Sequence, residues 1–177
     1  MDLRGEKFMS TVIAARRRAV FAEAESSFGM LLRKIRTRQA RVGVIGLGYV
    51  GLPLAVEFAR AGFSVTGFDL DRQRAEQANR GSSYIDEVNN QILQQQIESR
   101  RFHATNDFAE LSDLDTVSIC VPTPLRKTKD PDLSYVIQAV ESVADHLRRG
   151  QLIILESTTY PGTTEEIALP RLEQSFS

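Results

Sequence analysis

The sequence predicts an α/β fold: a doubly wound parallel sheet with helices on both faces, preceded by an N-terminal helical leader. Three observations predict it. From Arg41 onward, short apolar, β-branched runs alternate with amphipathic helical stretches, the pattern of strands buried on both faces. A glycine cluster, Gly46-Leu47-Gly48-Tyr49-Val50-Gly51, lies directly between the first strand and the first helix. An acidic residue, Asp69, ends the second strand.

Residues 1–40 read as a basic leader. Phe28, Leu31, Leu32 and Ile35 follow the spacing of one helix face, with Arg33, Lys34, Arg36 and Arg38 around it. Such a helix packs on its own domain or on a partner chain. Before Phe28 the pattern is poorer, which leaves disorder, or a later start at Met30, as alternatives. The domain proper spans 41–177 and opens with a buried strand at Arg41–Ile45. A helix follows over Pro53–Ala61, with proline in its first turn and Gly62 closing it. Phe63–Phe68 is a second strand, and a helix opened by Asp71 runs to Asn79 and stops at Gly81. Residues 87–99 predict a polar helix, Arg101–Thr105 a short third strand, and Thr116–Val121 a buried fourth. A helix over Ser134–Arg149 ends at Gly150, and Gln151–Leu155 is the fifth strand. After Pro161-Gly162, Thr163 or Thr164 is placed to cap a last helix ending near Pro170 or beyond.

Composition narrows the function classes. At 177 residues the chain is long enough for one domain with a buried core. Residues 1–41 hold ten Lys/Arg against four Asp/Glu and the remainder twelve against nineteen, so a basic leader precedes an acidic domain. The net charge of −1 speaks against a nucleic-acid partner. A single cysteine, Cys120, excludes an internal disulfide framework and fits a reducing compartment, with the cytoplasm the default. It lies in an apolar run and reads as a core residue rather than a nucleophile. The Cys/His pairs of a zinc site are missing, so no metal is expected. No apolar run reaches the length of a membrane span, and the first residues lack the features of a secretory signal. His103 and His146 are isolated and receive no role.

The chemistry resides in the loops that follow the strands. A pyrophosphate needs backbone N–H donors at a helix N-terminus, where the helix dipole also favours negative charge. Gly46 permits the tight turn, Gly48 lets the backbone approach the phosphates, and Gly51 lets helix and strand pack closely. By itself this spacing also serves plain turns, but here a strand precedes it, a helix follows, and Asp69 stands eighteen positions past Gly51. That is a Rossmann-like arrangement. A carboxylate at Asp69 would take the adenosine ribose hydroxyls and repel a 2′-phosphate, favouring NAD over NADP. FAD is the alternative, because its binding domains share the fingerprint. Arg74, one turn into the next helix, either faces the adenosine phosphates or is a solvated surface residue. Ligands in such sheets lie across the strand ends, which draws in two more loops. In Val121-Pro122-Thr123-Pro124 the prolines present Thr123 in a rigid frame, toward the nicotinamide ribose or amide. The same frame would also serve as a stiff turn. Glu156-Ser157-Thr158-Thr159-Tyr160-Pro161-Gly162 gathers hydroxyls near the nicotinamide, or else simply caps the turn into the last helix.

Together these residues resemble the NAD-binding domain of the UDP-glucose/GDP-mannose dehydrogenase family, from about Arg41 to Leu172. The resemblance rests on Gly46–Pro53, on Val121–Pro124, and on Ser157-Thr158 with Pro161-Gly162-Thr163. Asp130–Val136 and Ser83-Tyr84-Ile85 look like the branch acting on UDP-N-acetylhexosamines. The resemblance implies NAD as cofactor and a UDP-sugar as substrate, its C6 alcohol oxidised to the uronic acid with two NAD through a cysteine thioester, in polysaccharide biosynthesis. It implies that Tyr49 and Val50 contact the pyrophosphate by their backbone, that Asp69 and Arg74 bind the adenosine side, and that Pro122 and Thr123 bind the nicotinamide side. Thr158 would stand beside the reacting centre and help position water. The family's nucleophilic cysteine and sugar-binding domain would lie beyond Ser177, so this chain is expected to bind NAD without oxidising a sugar. It would be a piece of a longer protein or the product of a shortened gene. Homodimerisation is open, because the helix that links the halves in that family is missing. The rival from another class is a free-standing NAD-binding module that senses redox state or docks on a partner. A related 3-hydroxyacid dehydrogenase-type fold is the third reading, against which the Val-Pro-Thr-Pro loop speaks.

Overall fold

A computed structural model describes residues 27–127 and 131–175. The leader up to Ser26, and Asp130 of the 130–136 motif, lie outside the described residues. Within them, α1 (residues 27–36) is followed by β1 (Arg41–Ile45), α2 (Gly51–Arg60), β2 (Ser64–Phe68), α3 (Arg72–Asn79), α4 (Asn90–Glu98) and β3 (Phe102–Thr105). A 3-10 turn (Phe108–Asp113), β4 (Thr116–Ile119), α5 (Ser134–Ala144), β5 (Leu152–Leu155), a π turn (Thr164–Ala168) and α6 (Leu169–Gln174) complete it.

All five strands are parallel, in the order β3-β2-β1-β4-β5. Parallel neighbours require crossovers, and the helices between strands supply them on both faces. The alternation of side chains divides the core accordingly. Val42, Val44 and Val65 pack with Leu52, Val56, Ala78 and Leu93 on one face. Ile45, Phe68, Val117 and Ile119 pack with Leu111, Val136, Val140 and Ala168 on the other. The strand order turns back between β1 and β4, from which successive strands are added in opposite directions, so their C-terminal ends flank the crevice where ligands of such sheets bind. At the opposite edge, Asn79 closes β3: its amide accepts from Ala104 N (2.8 Å) and donates to Ala104 O (2.7 Å), satisfying the outer backbone of an edge strand.

Several boundaries differ from the sequence expectation, each for a local reason. The first crossover helix starts at Gly51, two residues before Pro53, because proline is tolerated throughout a first turn that needs no donor. The polar helix opens at Asn90, where the Asn89 side chain accepts from Gln91 N. The helix expected to reach Arg149 stops at Ala144. Beyond it, Arg148 turns in to donate to Ser112 O and Leu114 O (2.9 and 2.6 Å), bonds that a continued helix would prevent. Thr163 precedes the last helical segment, but its hydroxyl donates to Tyr160 O (2.8 Å) instead of capping. Pro170 has no N–H to return to the preceding turn, which is wound wide, and the Arg171 guanidinium donates to the Ile167 carbonyl at 2.8 Å. Phe28 is exposed rather than packed; Ile35 carries the apolar contact of α1 to the core. That helix is fastened by Lys34, which reaches Asp115 at 2.6 Å.

Candidate functional site

The site is assembled from four loops at the C-terminal edge of the sheet. The first is the glycine loop. Gly46 adopts a left-handed φ of 89°, and a Cβ there would come within 2.9 Å of the Cys120 carbonyl oxygen. A Cβ on Gly51 would overlap the Gly46 carbonyl oxygen, so loop and helix approach closely only because both residues are glycine. Gly48 is different: a Cβ there would meet nothing within 4 Å. Its lack of a side chain keeps open a space that the protein itself does not fill. Tyr49 and Val50 follow with outward side chains, 78% and 60% exposed. The first turn of α2 carries no acidic residue, and Val50 gives it no side-chain cap. The Leu52 amide returns to the Gly48 carbonyl (3.1 Å) and Pro53 has none, so this helix start offers an anion the positive end of its dipole and the amides that precede Leu52.

Asp69, just past β2, is buried and faces that loop. One carboxylate oxygen accepts from Leu47 N (3.0 Å) and the other from Asp71 N (2.9 Å). The residue expected to bind ribose thus also pins the glycine loop. Each carboxylate oxygen retains a second lone pair for a hydroxyl donor. Arg74 leans back over this end, 3.8 Å from Asp69 and 3.7 Å from Asp71, with its guanidinium 5.9 Å from the Tyr84 ring centroid. It is half-exposed, so it is neither a free surface arginine nor fully committed.

On the other side of the crevice, the loops after β4 and β5 are joined by Ser157. Its hydroxyl donates to Val121 O at 2.8 Å, and its amide donates to Ile119 O at 3.2 Å. This ties the frame of Pro122 and Thr123 to the loop that carries Thr158, which is exposed. A further brace holds Pro124, whose carbonyl accepts from Asp132 N at 2.8 Å, while Asp132 pairs with Arg126 at 2.9 Å. Cys120 is buried beneath the glycine loop, and burial, aided by Glu156, pushes its thiol up to about 11. It is therefore a protonated core residue, as its sequence context implies. All ten residues singled out from the sequence lie on loops or helix starts at this one edge.

Two contributions were not legible in the sequence. Leu47, between two glycines, is fully buried and lodges where a Cβ on Gly67 would lie 2.7 Å from its Cδ2. Tyr84 donates its hydroxyl to the Leu47 carbonyl at 2.8 Å. Burial, and then the Asp69 carboxylate, raise its phenol well above the ordinary value, so it remains a neutral donor. Gly67 inside a strand is a weak sign of close approach; the Tyr84 contact spans 37 residues and has no local signature.

Comparison with known proteins agrees with this geometry. Residues 40–177 match the model of the UDP-glucose/GDP-mannose dehydrogenase family, NAD binding domain. The chain is 38% identical over 135 residues to UDP-N-acetyl-D-glucosamine 6-dehydrogenase of Salmonella typhi, covering 76% of this chain and 31% of that protein. It is 40% identical over 129 residues to UDP-N-acetyl-D-mannosamine dehydrogenase of Pyrococcus horikoshii, covering 72% of this chain and 31% of that protein. Among solved structures, the ternary complex of GDP-mannose dehydrogenase from Pseudomonas aeruginosa superposes with a TM-score of 0.73 at 31% identity, over 76% of this chain and 32% of that one. The chain thus spans about a third of the length of the relatives it matches.

Proposed function

The chain belongs to the UDP-glucose/GDP-mannose dehydrogenase family as its NAD-binding domain, and from that premise we propose how its residues hold the cofactor and what the parent protein does. The pyrophosphate lies on the amides of Gly48, Tyr49 and Val50, in the space that Gly48 leaves open. The free oxygen lone pairs of Asp69 take the adenosine ribose, with Arg74 beside it. Thr123 and Pro122 border the nicotinamide side, and Thr158 stands on the neighbouring loop at the reacting centre. NAD, when bound, accepts the hydride. The parent protein oxidises the C6 alcohol of a UDP-sugar to the uronic acid in the cytoplasm. The identities of the relatives, UDP-N-acetylhexosamine dehydrogenases, favour that substrate class. Thr158 acts there through its hydroxyl, orienting water or the sugar alcohol.

The observation that carries this reading is the contrast between glycines. Gly46 and Gly51 are required by the fold, whereas Gly48 faces open space at an uncapped helix start. Calorimetric titration of the chain with NAD and NADP tests it. Saturable NAD binding, at least about tenfold tighter than NADP, is expected from the repulsion between Asp69 and a 2′-phosphate. Equal affinity for the two would remove the assigned role of Asp69. A folded chain that binds neither would remove the site.

A further inference from the structure

We propose that Tyr84 is a positioning residue for the cofactor, setting the peptide plane that turns the Gly48 N–H toward the pyrophosphate. The inference rests on the pyrophosphate reading above. A peptide unit is planar, and the described chain contains no cis bond. In a trans unit the carbonyl and the following N–H point in opposite directions, so fixing one aims the other.

Two successive units of the glycine loop are fixed in this way. In the Gly46–Leu47 unit, the Leu47 N–H is held by Asp69 (3.0 Å), and the Gly46 carbonyl is driven against Gly51. In the Leu47–Gly48 unit, the carbonyl is held by the Tyr84 hydroxyl (2.8 Å), and the Gly48 N–H is turned the opposite way. Between the two units, the Leu47 side chain is fully buried over Gly67 and cannot rotate to follow a different backbone path.

Tyr84 is itself held in place by its neighbours. Its neighbour Ser83 donates to Ile85 O (2.8 Å), accepts from Ile85 N (3.0 Å), and gives its own amide to the Asn90 side chain (2.7 Å). Ile85 is buried in the core, so the turn holding the phenol is anchored on both sides. Tyr84 thus transmits the position of the α3–α4 connection to the phosphate-facing amide.

Titration of the chain and of Tyr84→Phe with NAD, ADP and adenosine tests the assignment. Loss of one hydrogen bond that orients a donor predicts NAD and ADP binding weakened about three- to tenfold. Adenosine, which lacks the pyrophosphate, should bind the variant as it binds the parent. Unchanged NAD affinity in Tyr84→Phe, or an equal loss for adenosine, would overturn the proposal. A parent chain that binds neither NAD nor ADP would instead overturn the cofactor reading beneath it. Amide hydrogen exchange on the parent chain gives a check that needs no variant. The Leu47 amide should be protected with or without NAD, and the Gly48 amide only with it. Protection of Gly48 before NAD is added would show that it points elsewhere.

Discussion

At the scale of single residues, glycines of one motif do different work. Gly51→Ala forces a Cβ onto the Gly46 carbonyl and should destabilise the fold by about 1–3 kcal/mol, as overpacking does. Gly48→Ala adds a methyl to open space, so denaturant unfolding should show a change within about 0.5 kcal/mol. Its NAD affinity should nevertheless fall at least tenfold, by roughly one step of 1.4 kcal/mol or more. If Gly48→Ala binds NAD normally, the pyrophosphate does not lie over that residue. The glycine spacing and the acid at Asp69 were legible because they obey local rules: a turn needs φ above zero, and a strand end needs a polar residue. The second duty of Asp69, pinning Leu47, was not. It depends on how the end of β2 meets a loop 22 residues earlier.

At the scale of elements, the opposite edge of the sheet is held by a buried charge. Asp115 accepts from Lys34 (2.6 Å), from the Arg41 amide (2.9 Å) and from Arg148 (3.1 Å), joining α1, β1 and the turn after α5. Burial opposes its charge, but the bonds from Lys34, Arg41 and Arg148 outweigh that and hold its pKa below the ordinary carboxylate value. A folded-state pKa below the unfolded one stabilises the protein above about pH 4, and the contribution is lost as pH falls through the folded value. Asp115→Asn should cost about 2–4 kcal/mol near pH 7. The variant should also lose part of the acid dependence seen in denaturant melts of the parent; identical pH profiles would exclude the assignment. Most elements were readable from apolar period and punctuation, since those govern local backbone. The end of α5 was not, because the distant carbonyls of Ser112 and Leu114 decide it by recruiting Arg148.

At the scale of the whole molecule, the proposed cofactor cradle is braced by the protein's own side chains. Its walls are strand ends, and its loops are tied by Asp69, Tyr84 and Ser157 to one another and to the sheet. NAD should therefore act as a plain ligand of the folded state. At one hundred times its dissociation constant it adds about 2.7 kcal/mol, which for a domain of this size raises the midpoint of thermal unfolding by about 5–10 °C. Scanning calorimetry with and without NAD measures it. A much smaller rise at saturation, with broad unfolding, would mean that binding first has to order the loops. The parallel sheet covered on both faces could be anticipated from the alternation of strands and helices; which loops would brace one another could not, because each brace joins residues distant in sequence.

The Asp115 cluster also bears on how the chain comes into being. During synthesis Lys34 and Arg41 emerge long before Asp115, and Arg148 later still; the Lys34–Asp115 contact spans 81 residues. Until β4 is translated, β1 has β2 beside it on one edge only, and α1 has no carboxylate to fasten to. The helix α1 is therefore made well before the group it fastens to, and it is locked only once the start of β4 has emerged.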